Sequence, residues 1–248
     1  MSKTNSRIRL FVEGELAESV LIDAREAQAH YLLHVMRCKE GQEVFLFNGL
    51  DGEWCASIRM SAKKKVVFEV LRKSRDQDNG PDLWIAFAPV KRADFLVEKA
   101  SELGVSTILP VITQRTDVRR VNTGRLQTHA IEAAEQCSRL SVPPVREAVK
   151  FEQFIADWPP ARRLFFLDET GQGGPIGKVL SASPREPSGF LTGPEGGFAQ
   201  SELDALRQLP FSTPVGLGPR LLRAETAAIA ALSCWQAIVG DWVPGTKV

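Results

Sequence analysis

The chain has 248 residues, 44% of them apolar and 25% charged, with a formal net charge of +1. That is the make-up of a globular protein with room for a small domain beside a mid-sized one, and no apolar run nears the ~20 residues of a membrane-spanning helix. A dedicated nucleic-acid binder is usually far more basic, so any contact with RNA must come from local clusters.

Residues 7–75 read as a small β-rich, barrel-like unit. Asp23-Ala24-Arg25-Glu26 has capping-box spacing and predicts a short helix bearing Ala27, Tyr31, His34 and Val35 that ends near Arg37. Lys39-Glu40-Gly41-Gln42 is a turn, and extended stretches follow at 43–47, 54–60 and 66–71. The stretch Arg75-Asp76-Gln77-Asp78-Asn79-Gly80-Pro81-Asp82 has no large apolar residue. It is the expected linker, with domains at 1–76 and 82–248.

Beyond the linker the pattern alternates strand and helix. Strands are predicted at 83–90, 105–112, 164–167, 190–192 and 214–217, and helices at 92–103, 124–140 and 201–209. Ser201 and Asp204 stand at capping spacing. Such alternation implies an α/β domain with a largely parallel sheet. The last helix, 224–239, has almost no polar face, so it is buried on more than one side: it threads the centre of the domain or a second subunit covers it, and the second is the preferred expectation. Cys38, Cys55, Cys137 and Cys234 lack C-x-x-C spacing, which argues against a zinc site or a disulfide framework. The polar start Met1-Ser2-Lys3-Thr4-Asn5-Ser6 lacks a signal-peptide core, and a cytoplasmic location is expected.

Two loops carry the site. Gly193-Pro194-Glu195-Gly196-Gly197 follows an apolar run, and Gly216-Leu217-Gly218-Pro219-Arg220-Leu221-Leu222-Arg223-Ala224-Glu225-Thr226-Ala227 runs into the last helix. Loops at the carboxyl ends of parallel strands are where α/β folds bind ligands. Neither a G-x-G-x-x-G nor a G-x-x-x-x-G-K-[ST] motif is present, which argues against a dinucleotide or nucleoside-triphosphate site.

These loops resemble the signature of the ribosomal RNA small subunit methyltransferase E family, 16S rRNA (uracil-N3)-methyltransferases of the SPOUT superfamily. Other segments agree in order: Glu98-Lys99-Ala100-Ser101-Glu102-Leu103-Gly104-Val105, Glu132-Ala133-Ala134-Glu135-Gln136-Cys137-Ser138-Arg139, and Ala29-His30-Tyr31 through Lys39-Glu40-Gly41. The resemblance implies a PUA-like β-barrel for RNA, a C-terminal α/β trefoil-knot domain, and a homodimer. It also implies S-adenosylmethionine as methyl donor and, as acceptor, N3 of a decoding-centre uridine, position 1498 in the family's usage. The methyl donor is then expected between Thr192, Gly193, Glu195, Gly196 and Gly197 on one side and Val215, Gly216, Leu217, Gly218, Leu222, Arg223 and Thr226 on the other.

Removing the imide proton of uracil spreads negative charge onto O2 and O4, which asks for a cation and a proton acceptor. Arg223, Arg139 and Arg115 are candidates for the first role, and Glu195 or Glu225 for the second. Glu225 is better suited to brace a helix start, and Arg139 could simply pair with Glu135 one turn earlier. Expected RNA contacts are Arg9, with Arg7 as the alternative, and Arg37, Lys91, Arg92, Arg115 and Arg139; Lys63-Lys64-Lys65 and Arg115, Arg119, Arg120 and Arg125 are the basic clusters. His30, His34 and His129 share no metal spacing, and no metal is expected. Tyr31 and Trp54 could stack on a base or fill the small core. The rival readings are another SPOUT methylation, which these loop motifs disfavour, and an RNA-binding assembly factor without turnover.

Overall fold

The structure, a computed structural model, describes residues 8–60, 65–118 and 120–243. It divides into two compact units, Met1–Asn79 with Ala134–Val142, and Gly80–Ala133 with Pro143–Val248.

The first unit is a curled five-stranded sheet. Its strands are β1 (Arg9–Phe11), β2 (Leu21–Asp23), β3 (Glu43–Phe47), β4 (Glu53–Met60) and β5 (Val66–Arg75), in the order β1-β3-β4-β5-β2. β1 runs parallel to β3, and the other pairs are antiparallel. Register shifts at Glu53/Trp54 and Cys55/Ala56 interrupt the β4–β5 ladder; such irregularities bend a strand and raise its twist. Val44, Leu46, Ile58, Phe68 and Val70 point into one core. Helix α1 (Glu26–His30) and the π-helical turn Tyr31–Val35 set Leu32 into the same core.

The expected cap at Asp23 lies two residues downstream. Arg25 is the N-cap, its N–H donating to Gln28 Oε1 at 3.1 Å, because Asp23 is held in β2 opposite Val67. β5 outruns its expected end because β4 pairs with it as far as Arg75.

The second unit is a seven-stranded sheet whose pairs are all parallel. Along the chain come β6 (Leu83–Phe87), α2 (Ala93–Glu102), β7 (Thr107–Ile112), α3 (Thr123–Gln136), β8 (Val149–Lys150), α4 (Phe151–Asp157) and β9 (Arg163–Leu167). β10 (Gly174–Pro175), α5 (Ile176–Ser181), β11 (Ser188–Thr192), α6 (Gln200–Gln208), β12 (Ser212–Gly216) and α7 (Ala224–Ile238) complete it. The sheet order is β10-β12-β9-β11-β6-β7-β8, so β11 enters between β9 and β6, two strands that precede it in the chain. Ile85, Phe87, Phe165, Phe166 and Phe190 are fully buried, as strands covered on both faces require.

Two helix ends differ from expectation. α6 is capped at Ala199, whose N–H donates to Glu202 Oε2 at 2.8 Å, rather than by Ser201. α3 stops at Gln136, short of Leu140, where Ser138 takes the left-handed conformation (φ +65°) that ends many helices. α7 packs on α2, α5 and β11.

Candidate cofactor site

A cavity of about 650 Å³ opens where β9, β11 and β12 end. Its volume lies within the range of small-molecule sites, ~300–1,000 Å³. Thr192, Gly193, Glu195 and Gly197 line one side. Val215, Gly216, Leu217, Gly218, Leu222 and Arg223 line the other. The fold thus brings the two glycine-bearing loops together around one hollow.

Two of the expected residues do not line it. Thr226 sits exposed on α7, and Gly196 turns toward Arg115, accepting a 2.9 Å bond from its Nη1 on the Gly196 carbonyl. The sequence also missed a third wall, formed by Leu167, Asp168, Glu169, Thr170, Gly171 and Gly173. The signal that could have found it is the Gly173-Gly174 pair just beyond a strand. A Cβ at Gly173 would lie 2.6 Å from the backbone carbon of Val215, so only glycine lets this wall close against β12. Gly197 has φ +68°, and a Cβ there would stand 2.0 Å from Glu169 Oε1. That same carboxylate oxygen accepts the Phe198 N–H at 3.1 Å, which locks the two walls together.

Asp168 is the buried member of this wall. Its carboxylate accepts from the Thr170 N–H at 2.8 Å, from Thr170 Oγ1 at 2.5 Å and from Arg207 Nη2 at 3.0 Å. Burial pushes its pKa up, but the bonds from Thr170 and the Arg207 guanidinium outweigh that and hold it below the usual carboxylate value.

Glu195 and Arg223 are exposed at the cavity mouth, and Arg223 is also the N-cap of α7. Glu225 is 5% exposed, does not line the cavity and takes Arg92 Nη1 at 3.3 Å. It braces the first turn of α7, where a carboxylate suits the helix dipole. Arg139 does not line the cavity either; it belongs to the segment grouped with the first unit, and its Nη2 donates to Ser141 Oγ at 3.2 Å.

Of the expected RNA contacts, Arg37, Lys91, Arg92 and Arg115 are exposed. Arg9, by contrast, is buried. It is 7% exposed, and its guanidinium is bonded to Glu53 and to main-chain carbonyls, so its charge does not face solvent. Arg7, Lys63, Lys64 and Arg119 lie outside the described residues. His30 and His34 are exposed with ring centroids 4.9 Å apart, and His129 lies between Asp94 (3.6 Å) and Glu132 (3.4 Å). Tyr31 and Trp54 pack against the core of the first unit. Among the described residues no group of three or more His, Cys, Asp or Glu could hold a metal, and no helix is long and apolar enough to cross a membrane.

The family model of the RNA methyltransferase domain matches residues 78–236, and that of the RNA methyltransferase PUA domain matches 24–71. The chain is 30% identical to the ribosomal RNA small subunit methyltransferase E of Rickettsia conorii over 91% of this chain and 93% of that one. Against the protein of the same name from Synechocystis it is 31% identical, over 93% and 78%. A Legionella pneumophila structure with bound cofactor SAM has TM-score 0.83 at 31% identity, covering 95% of this chain and 99% of that one. The ribosomal RNA small subunit methyltransferase E of Neisseria gonorrhoeae, bound to S-adenosyl methionine, has TM-score 0.87 at 26% identity, covering 96% and 100%.

Proposed function

The chain belongs to the ribosomal RNA small subunit methyltransferase E family, and on that premise we propose that it methylates N3 of the decoding-centre uridine of 16S rRNA, with S-adenosylmethionine as donor. The observation that carries this reading is the cavity itself: two glycine loops, distant in sequence, form one hollow of about 650 Å³ with leucines on its wall. Its residues fit a nucleoside. Leu217 and Leu222 offer flat apolar contacts and main-chain groups for an adenine edge, while Gly193, Gly197 and Gly218 leave room beside the backbone. When bound, the donor supplies a methyl group on a positively charged sulfur.

The protein's own residues would do the rest. Arg223 stands at the mouth, where its cation would oppose the charge that deprotonation spreads onto uracil O2 and O4. Glu195 is the candidate proton acceptor, being an exposed carboxylate that lines the cavity on the Gly193–Gly197 loop. Arg139 is assigned a second electrostatic role on the RNA. Arg37, Lys91, Arg92 and Arg115 are proposed to bind phosphates and set orientation, while the target base must leave its stack to expose N3.

Residues 1–76 are proposed as the PUA-like RNA-binding domain and 82–248 as the trefoil-knot methyltransferase domain. The protein is read as a cytoplasmic homodimer. Supporting the dimer, Ile229, Ala230, Cys234 and Ile238 of α7 are apolar and only half-buried within one chain. A binding factor without turnover is disfavoured, since it would have no use for a formed donor cavity.

A methyl on N3 blocks base pairing and halts reverse transcriptase. Primer extension on 16S rRNA from a strain lacking the gene should read through at one uridine and stop there again on complementation. A stop that survives the deletion overturns the assignment.

A further inference from the structure

We propose that Arg9 and Glu53 are positioning residues for methyl transfer: they fix the segment that carries Arg139 on the N-terminal sheet. The proposal rests on the role assigned to Arg139 above.

Arg9 was expected at the RNA, yet the structure spends its whole guanidinium inside the protein. Nε donates to Glu53 Oε2 at 2.7 Å, Nη1 to the carbonyls of Ala134 (3.0 Å) and Glu135 (3.1 Å), and Nη2 to the carbonyl of Arg139 at 2.7 Å. The Ala134 and Glu135 carbonyls belong to the last turn of α3, where helix carbonyls lack intrahelical partners and carry the negative end of the dipole. A planar fork of five N–H groups suits several fixed acceptors at once, which an ammonium cannot match. The guanidinium also lies 4.7 Å from the centre of the Phe47 ring.

Further contacts hold the same segment. The Phe11 N–H donates to Glu135 Oε1 at 2.9 Å, and Arg75 Nη1 donates to the Ser138 carbonyl at 3.1 Å. Ala134, Leu140 and Val142 join Phe11 and Phe47 in a separate apolar cluster. Residues 134–142 therefore group with the first unit although the chain on both sides of them belongs to the second.

Glu53 is 1% exposed and also accepts from Ser74 Oγ at 3.0 Å. A buried ion pair adds little net stability, and its better-attested use is to specify one arrangement. Here that arrangement includes the main chain of Arg139. Arg9 then contributes to the reaction by where it puts Arg139, and its own charge never meets the RNA.

The test compares Arg9→Met, Arg139→Ala and the double variant in the full chain, using unmethylated small ribosomal subunits. Single-turnover methylation is normalised to donor sites counted by calorimetry with S-adenosylmethionine, so loss of folded protein is removed from the rate. Displacing a catalytic group by about 1 Å costs on the order of a hundredfold, and Arg9→Met should lower the normalised rate by roughly ten- to a hundredfold. In the Arg139→Ala background it should cost nothing more. If Arg9→Met does not fold, Arg9→Lys keeps a cation against Glu53 but loses the fork, and the same non-additivity is expected. Multiplying effects overturn the proposal, as does a drop of about 0.7–0.9 in the salt slope of RNA binding on losing Arg9, the mark of a phosphate contact. Arg139→Ala with an unchanged rate removes the assigned role of Arg139; a loss in Arg9→Met alone would then show that Arg9 acts elsewhere.

Discussion

Gly197 carries two constraints at once, a positive φ and a carboxylate oxygen where its Cβ would stand. Gly197→Ala should therefore cost about 1–3 kcal/mol in backbone strain alone. It should also push Glu169 off the Phe198 N–H, separating two cavity walls. We expect calorimetry to show at least about a tenfold loss in S-adenosylmethionine affinity, since each 1.4 kcal/mol is a factor of ten. Asp168 sets a pH dependence. Its folded pKa lies below that of the unfolded chain, ~3.9, despite burial, because Thr170 and Arg207 donate to it. The unfolded state thus takes up the proton first, and the stabilisation is complete above the unfolded pKa and lost as pH falls through the folded one. Asp168→Asn should be less stable than the parent by about 1.5–3 kcal/mol at pH 7. In urea titrations that gap should close under strongly acidic conditions; a gap independent of pH would assign the loss to packing.

At the level of elements, the α4 side of the parallel sheet is organised on one ring. Trp158 is 3% exposed, meets Trp84 and Phe154 edge to face at centroid distances of 5.6 and 5.1 Å, and donates from Nε1 to the Arg162 carbonyl at 2.9 Å. A Cβ at Gly189 would lie 2.5 Å from its ring, so β11 can pass only as glycine there. Trp158→Ala should cost about 3–5 kcal/mol in chemical denaturation, and Gly189→Ala about 1–3 kcal/mol by overpacking. What could be read from the sequence follows the length of the pattern. β3 was legible residue for residue because the short apolar run Val44-Phe45-Leu46-Phe47 sits between Gly41 and Gly49. β1 and β2 have three residues each, too few for a period, and are strands only because β3 and β5 lie beside them. The two glycine loops were visible through their motifs. The third wall was not, since Asp168-Glu169-Thr170-Gly171 carries no motif of its own and becomes a wall only when β12 is folded against it. Nor could Arg9 be placed, because its carbonyl partners lie more than a hundred residues away.

For the whole molecule, association is read from α7. Ile229→Arg should leave a single chain little affected, because that position is partly open, yet it would set an unpaired charge into the proposed subunit interface. Sedimentation velocity should report a monomer, and an intact dimer would move the interface to another face. With a net charge of only +1, RNA affinity must rest on a handful of cations. Arg115→Ala should accordingly flatten the dependence of log K on log salt by about 0.7–0.9. The all-parallel sheet has a consequence for biosynthesis. β6 gains β7 on one edge early, Trp84 against Thr107, but its other edge pairs with β11, Leu83 against Ser188, which leaves the exit tunnel about a hundred codons later. At ~5–20 residues per second that second edge waits roughly 5–20 seconds, open and aggregation-prone. Nascent chains arrested before β11 should accordingly be captured by chaperones, and chains released after α7 should not.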